Sequence, residues 1–193
     1  MGRGRAVPRW RYLWRWLQVL RPGIWLATGS KAEAKTREQL LDLVARYDLG
    51  RWQLTDRIRI EEGAIPHSHP VLTLGIRHLD NDALLLATYL HEQLHWFVAR
   101  HKGRERNAIA ELKRLYPSVP VGPPEGARDE HSSYLHYIVC HLEYVALIDV
   151  LGPEEARRVI DFWCGDHYTE IYKTVVRDFD AVGEIVSRHG LVP

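Results

Sequence analysis

Two histidines lie four residues apart in this chain, with a glutamate directly after the first, in the stretch His91-Glu92-Gln93-Leu94-His95. Four residues are slightly more than one turn of an α-helix, so both imidazoles project from the same face of a helix. Two imidazoles in that arrangement can bind one metal ion, and the glutamate beside them is placed to handle protons. The spacing therefore predicts a metal site with an acid–base residue next to it.

The residues around this motif predict a buried helix. Residues 83–98 are almost entirely apolar, and Glu92 is the only charged side chain between Asp82 and Arg100. A helix that is apolar on nearly all faces packs inside a protein, where an uncompensated carboxylate is costly. A metal ion bound at this position offsets the cost of burying the two histidines and the glutamate. The alternative is a pair of core histidines that bind backbone carbonyls.

The motif and its apolar flanks, residues 83–98, resemble the active-site helix of the zincin superfamily of metallopeptidases. The resemblance implies zinc as the cofactor and a peptide or protein as the substrate. It also implies His91 and His95 as zinc ligands and Glu92 as the general base. Catalytic zinc usually has three protein ligands and a water, so a third ligand must come from elsewhere in the chain.

A second apolar stretch, residues 132–151, predicts a helix that ends at Gly152 and Pro153. Glu143 is the only acidic residue in the middle of this stretch. A buried carboxylate needs a strong charge partner. The arrangement resembles that of gluzincins, in which the third zinc ligand is a glutamate on a later helix. On that resemblance Glu143 is the expected third ligand.

Three histidines remain alternatives to Glu143 as the third ligand. His136 shares a helix face with Glu143, and His141 lies on a different face. His101 follows His95 by six residues, as in a short-spaced zincin variant, but Val98 stands where that variant has a glycine. Without a break in the helix, His101 points away from His95.

Hydrolysis also needs a donor for the oxyanion that develops in the transition state. Gluzincin-like enzymes often supply it as a tyrosine or histidine from a helix beyond the third ligand. Here a helix is expected to start near Asp166, and the resemblance implies Tyr168 or His167 as the donor. Packing of these aromatic side chains in the core is the alternative.

Residues 52–60 and 71–76 predict two β-strands upstream of the motif. In zincins a strand edge beside the zinc pairs with an extended substrate, and residues 71–76 are the candidate for that edge. Between the strands, His67 and His69 alternate in a segment bounded by prolines. They can bind a metal or a substrate carboxylate, or they lie in a solvated loop.

The remaining patterns complete the expected fold. Further helices are expected at about 31–47, 104–116 and 166–188, with a Pro/Gly loop at 117–126. The predicted fold class is α+β, with short N-terminal strands followed by a mostly helical zincin-like domain. Residues 1–30 are expected to form a basic Trp/Arg-rich segment and residues 31–193 the zincin-like zinc-binding domain.

The N-terminal segment differs from the rest of the chain. Residues 3–21 carry six arginines, and no acidic residue precedes Glu33. A basic, Trp-rich amphipathic helix can lie on an anionic membrane surface, so residues 9–25 are a candidate membrane contact. The alternatives are a flexible tail, a helix packed on the domain, or an extension from an upstream start codon.

Composition limits the partners and the compartment. The formal net charge is +1, and no long basic tract runs through the chain, so no nucleic-acid partner is expected. The two cysteines do not make a disulfide framework, which fits a reducing compartment. The expected location is the cytoplasm, peripheral to a membrane if residues 9–25 bind lipid.

These patterns predict a zinc-dependent, metallopeptidase-like hydrolase in which Glu92 activates a zinc-bound water. Two alternatives remain. The first is a non-peptidase hydrolase or an inactive zinc-binding relative. The second is a membrane-binding or protein-binding module in which zinc is structural.

Overall fold

The structure is a computed structural model that describes residues 23–193. Its fold is α+β, which confirms the predicted class. The strands are β1 (Gly23–Leu26), β2 (Arg57–Ile60) and β3 (Leu72–Leu74). The helices are α1 (Lys31–Arg46), α2 (Asp82–Ala99), α3 (Lys102–Leu115), α4 (Glu130–Leu151), α5 (Pro153–Trp163), α6 (Thr169–Arg177) and α7 (Phe179–Arg188). Of the candidate membrane contact at residues 9–25, residues 9–22 lie outside the described residues.

The three strands form one parallel sheet in the order β1-β2-β3. Ile58 in the central strand pairs with Ile24 on one side and with Leu72 on the other. Ile58 and Ile60 have no exposed area, as the alternation of β2 predicts. β1 was not expected from the sequence, and it lies within the segment assigned to residues 1–30.

Glu33 links the segment between β1 and α1 to the segment that follows β2. It lies in the first turn of α1 and has no exposed area. Its carboxylate accepts hydrogen bonds from the backbone N–H groups of Thr28 (2.9 Å) and Gly29 (2.8 Å), before α1, and of Glu62 (3.0 Å), after β2. Burial alone would raise the pKa of Glu33, but these hydrogen bonds outweigh it and lower the pKa to about 2.

The outer edge of β3 is covered by the chain itself. His67 and Thr73 exchange two backbone hydrogen bonds, of 3.1 Å and 2.8 Å, in an isolated antiparallel bridge. The expectation that residues 71–76 offer an unpaired edge to a substrate is therefore wrong at Thr73. The loop between β2 and β3 folds back and takes the backbone groups that an added strand would need.

Helix α4 is the centre of the helical part, where it contacts α2, α3, α5, α6 and α7. By length and hydropathy it is the one helix among residues 23–193 that could cross a membrane, and 61% of its most apolar window is buried inside the fold. Contacts with five other helices account for this apolar character. Helix α4 therefore has the surroundings of a core helix.

Two helix predictions differ from the structure. The single helix expected over residues 166–188 is wrong, because the backbone at Asp178 is not helical and separates α6 from α7. The Asp178 carboxylate there accepts a hydrogen bond from the Tyr116 hydroxyl (2.9 Å). Helix α5 was not expected, although Pro153 in its first turn and the acidic residues after it are favourable at a helix start.

Candidate metal centre

Helices α2 and α4 bring three histidines together. Helix α2 carries His91 and His95 one turn apart. It is capped by Asn81, whose side chain accepts a hydrogen bond from the backbone N–H of Leu84 (3.1 Å). The two Nε2 atoms are 3.2 Å apart. The His136 ring, from α4, lies 5.6 Å from the His91 ring and 5.0 Å from the His95 ring between centroids. We call these residues the three-histidine cluster, and their ligand atoms lie within 4.8 Å of one another.

Two of the three imidazoles are held by a hydrogen bond on the nitrogen that faces away from the cluster. His91 Nδ1 is 2.8 Å from Glu143 Oε2, and His136 Nδ1 is 2.6 Å from the backbone carbonyl oxygen of Ser132. A carboxylate and a carbonyl accept hydrogen bonds, so both Nδ1 atoms carry the proton. The Nε2 atoms of His91 and His136 are then available as ligands, the arrangement found around protein-bound metals.

Glu143 occupies the opposite edge of the His91 ring from the cluster. Its side chain is completely buried and also accepts hydrogen bonds from the Tyr172 hydroxyl (2.7 Å) and from Trp163 Nε1 (3.0 Å). Cys140 lies close enough to Glu143 and His91 to form a second group of potential ligands. Burial raises the pKa of the Cys140 thiol well above its usual range, so the thiol carries its proton in the metal-free protein.

The spacing in the three-histidine cluster fits a tetrahedral zinc ion. Two nitrogens at ~2.0–2.1 Å from tetrahedral zinc are about 3.3 Å apart, close to the observed spacing of His91 and His95. A direct hydrogen bond is the alternative, in which neutral His95 donates its Nε2–H to His91 Nε2, because the proton of His91 is on Nδ1. The position between them therefore suits either a proton or a metal ion.

The pKa directions in the cluster follow from burial and charge. Burial lowers the pKa of His91, but the hydrogen bond and charge of Glu143, with the charge of Glu92, outweigh it and raise that pKa. Burial and the His91 charge lower the pKa of His95 well below its usual range and that of His136 to about 3. His95 and His136 are thus neutral near pH 7, the form that binds a metal.

Glu92 is buried beside the cluster and has no hydrogen-bond partner within residues 23–193. Burial raises its pKa to about 7, although the charges of His91 and His67 act in the opposite direction. A carboxyl group whose pKa lies near neutrality can both accept and release a proton at physiological pH. Its position and its pKa both suit a general base.

Tyr168 faces the cluster from the turn before α6. Its ring lies 4.2 Å from the His136 ring and 6.4 Å from the His91 ring. Its φ of 50° is in the left-handed region, which is unusual for a bulky residue and typical of functional sites. Burial, together with nearby Cys140 and Glu92, raises the pKa of its hydroxyl to about 12, so the hydroxyl keeps its proton.

His167, the other predicted donor, is turned toward a different set of groups. Its Nδ1 is 2.8 Å from Asp166 Oδ2, and its ring packs on Trp163 and Tyr172. The turn that carries both residues is fixed by the Pro/Gly loop, where the Pro124 carbonyl accepts a hydrogen bond from the backbone N–H of Thr169 (2.9 Å). This loop therefore helps to position Tyr168.

Two of the alternative ligands lie outside the cluster. His101 precedes α3, where its Nδ1 is 2.9 Å from the Phe97 carbonyl oxygen and its ring packs on that residue. His141 faces α7, with its ring 4.6 Å from the ring of Phe179. Gly183 makes room for it, because a Cβ at that position would lie 2.8 Å from His141 Cε1. Neither histidine can share an ion with His91 and His95.

The loop with His67 and His69 covers one side of the site. The His69 ring stacks on Trp96 at 4.2 Å, and Trp96 Nε1 donates to the Ser68 carbonyl (2.8 Å). His67 Nδ1 is 2.9 Å from the Ile65 carbonyl oxygen. Neither histidine belongs to the three-histidine cluster.

A cleft of about 510 Å³ leads to the cluster. It reaches the cluster at His95, the one of the three histidines that is not fully buried. The side chains that form it come from the loop before β3 and from α2, α3 and α4, and they include Ser68, His69, His95, Lys102, Arg106 and Leu135. A molecule can approach the cluster through this cleft.

Three residues that support the site were assigned no role from the sequence. Gln93 is fully buried; its Oε1 accepts from the backbone N–H groups of Leu54 and Thr55, and its Nε2 donates to the Thr55 carbonyl, each at 2.8 Å. It therefore fixes α2 to the segment before β2. A glutamine inside an apolar helix is a readable signal for such a contact, whereas the contacts of Trp163 and Tyr172 with Glu143 depend on tertiary packing alone.

Comparison of the chain with protein-family models, with curated proteins and with solved structures gives no match.

Proposed function

We propose that this protein is a zinc-dependent hydrolase of peptide bonds, with His91, His95 and His136 as the zinc ligands and Glu92 as the general base. One observation carries the proposal. The Nε2 atoms of His91 and His95 have the spacing of zinc ligands, and Glu143 and the Ser132 carbonyl hold the other nitrogens of His91 and His136.

The number of ligands favours a catalytic site over a structural one. Structural zinc sites are closed by four protein ligands, whereas catalytic sites have three and leave a position for water. Within residues 23–193 the group around His95 contains three candidate ligands. Its partly exposed side opens into the cleft.

In this proposal His136 takes the place that the gluzincin resemblance gave to Glu143. The reason is the orientation of the His91 ring, whose Nδ1 edge faces Glu143 and whose Nε2 edge faces His95. Glu143 becomes the residue that orients His91 and makes it a stronger ligand. Tyr172 and Trp163 hold the carboxylate in place by their hydrogen bonds.

The side chains of this protein divide the chemistry among themselves. A bound zinc ion supplies Lewis-acid activation of a water molecule and of the substrate carbonyl. Glu92 accepts the proton that the attacking water loses and passes it to the departing amine. The Tyr168 hydroxyl, protonated at neutral pH, donates a hydrogen bond to the carbonyl oxygen as negative charge develops there.

Three variants test the proposal, with zinc content measured by plasma mass spectrometry and cleavage of a peptide mixture measured by mass spectrometry. Glu92→Gln should keep zinc and lose at least ~100-fold in cleavage rate, the usual contribution of a general base. His136→Asn should lose both zinc and cleavage. His141→Asn is the matched control from the same helix, and it should keep both.

Three results would contradict the proposal. A wild-type protein that binds no zinc after reconstitution excludes the metal site. Zinc binding without cleavage of any peptide favours an inactive or structural zinc site. Cleavage that Glu92→Gln leaves unchanged removes the proposed role of Glu92.

A further inference from the structure

One wall of the cleft beside His95 carries two cations that face its interior. Lys102 and Arg106 lie in the first two turns of α3, four residues apart and therefore on the same face of the helix. Both side chains are exposed. Ser68, His69 and His95 line the same cleft, so the two cations share it with one member of the three-histidine cluster.

Among residues 23–193, neither the Lys102 side chain nor the Arg106 side chain is held in a hydrogen bond or an ion pair. The acidic residue of the cleft, Glu105, is directed at His131, with 3.3 Å between Oε1 and Nε2. Residues 1–22 contain no aspartate or glutamate.

The walls around the cations suit the rest of an extended peptide. Leu135, which is half-buried, provides apolar surface in the same cleft. A peptide in this cleft lies beside two positive charges and His95. Opposite charges in a cleft with low-dielectric walls raise the local concentration of a ligand and fix its orientation.

We infer that this cleft binds a carboxylate of the substrate, through Lys102 and Arg106, and so selects acidic peptides. The inference deepens the proposed function, because it takes the cluster at the end of the cleft as the place of cleavage. The carboxylate comes either from a glutamate or aspartate side chain or from the C-terminus of the peptide.

Binding of three acetylated pentapeptides to zinc-loaded Glu92→Gln protein tests the inference by calorimetry. The peptides differ in one group. The first has a central glutamine and an amidated C-terminus, the second has a central glutamate instead, and the third has the glutamine and a free C-terminal carboxylate. At least one of the acidic peptides should bind about tenfold more tightly than the neutral one, the effect of two partly exposed ion pairs.

The same titrations on two double variants show where the preference arises. Lys102→Gln with Arg106→Gln should abolish it. Lys31→Gln with Lys35→Gln is the matched control, because it removes two exposed lysines with the same spacing from α1, and it should retain the preference.

Equal binding of the neutral and acidic peptides, no binding of any of them, or a preference that survives in the Lys102/Arg106 double variant overturns the inference. These readouts do not require hydrolysis. A preference for acidic peptides in a protein whose wild type cleaves none of them would disprove the proposed function and leave the binding site standing.

Discussion

Glu143 shows at the level of one residue how a ligand and a residue that orients a ligand can be told apart. It accepts hydrogen bonds from His91, Tyr172 and Trp163, all from buried groups. A carboxylate that only orients a metal-bound histidine contributes less to affinity than the ligand does. Loss of such a partner typically lowers metal affinity by about 10–100-fold.

Glu143→Gln is therefore expected to bind zinc about 10–100-fold more weakly than the wild type, measured by competition with a chromogenic chelator. His136→Asn should lose far more affinity in the same assay. Glu111→Gln is the control, because Glu111 pairs with Arg188 and His189 away from the cluster. If Glu143→Gln loses as much affinity as His136→Asn, Glu143 is itself a ligand, as the gluzincin resemblance implies.

Tyr168→Phe separates the hydroxyl from the ring. The ring still packs on His136, so zinc content and KM should change little. Loss of a hydrogen-bond donor to the developing oxyanion should lower kcat by about 10²–10³-fold, measured in steady-state peptide cleavage.

His167→Gln and Tyr144→Phe are the comparisons for this prediction. Tyr144 packs on Phe179 instead of the cluster, so its variant should retain the wild-type kcat. A wild-type kcat in Tyr168→Phe together with a large loss in His167→Gln would assign the donor to His167.

At the scale of the elements, Glu33 on α1 holds the segment before this helix and the segment after β2, and the strength of these contacts depends on pH. The folded state lowers its pKa to about 2, so the folded protein releases this proton more readily than the unfolded chain. The contribution of Glu33 to stability is then fully present above the pKa of the unfolded chain, 4.5. It decreases as the pH falls from about 5 toward 2.

Glu33→Gln should show this dependence in urea unfolding at a series of pH values. The difference in free energy of unfolding between wild type and variant should be largest at neutral pH and shrink toward pH 2. Glu38→Gln, an exposed position on the same helix, is the control and should show a much weaker trend. A difference independent of pH would mean that the Glu33 carboxylate is not what stabilises this connection.

The elements also show how far local sequence patterns determine this fold. The pattern of residues 83–98 predicted α2 and placed His91, Glu92 and His95 on it, because helical spacing is a local property. The pattern of residues 132–151 likewise predicted α4. Strand β1 was missed, because four residues between a basic segment and a serine cap form a strand only through pairing with β2.

The third ligand illustrates what a local pattern does not contain. His136 and Glu143 lie seven residues apart on one face of α4, and both contact His91. Which of them meets the Nε2 edge of that ring depends on how α4 is rotated against α2. The partners Trp163 and Tyr172 come from α5 and α6, and no spacing in the sequence relates them to Glu143.

For the molecule as a whole, the proposed zinc ion joins two core helices. His91 and His95 come from α2 and His136 comes from α4, the helix that five others contact. An ion that binds this arrangement and not the unfolded chain stabilises the folded state. At a free zinc concentration of 100 times Kd the stabilisation is about 2.7 kcal/mol.

The midpoint temperature of thermal unfolding should therefore rise by about 5–10 °C when zinc is added to the metal-free protein, for a chain of this size. A chelator should reverse the shift. His136→Asn should show no zinc-dependent shift, and His141→Asn should shift as the wild type does. A shift of equal size in His136→Asn would place the zinc at other residues.

The close fit between Gly183 and His141 connects two positions that are far apart in the sequence. An alanine at 183 would collide with the His141 ring, which is buried. Within residues 23–193 the Nδ1 atom of His141 has no hydrogen-bond partner, so a smaller apolar residue at 141 gives up no hydrogen bond at that atom. In a genetic selection, suppressors of Gly183→Ala should accordingly arise at codon 141, and the two positions should vary together wherever this packing is inherited.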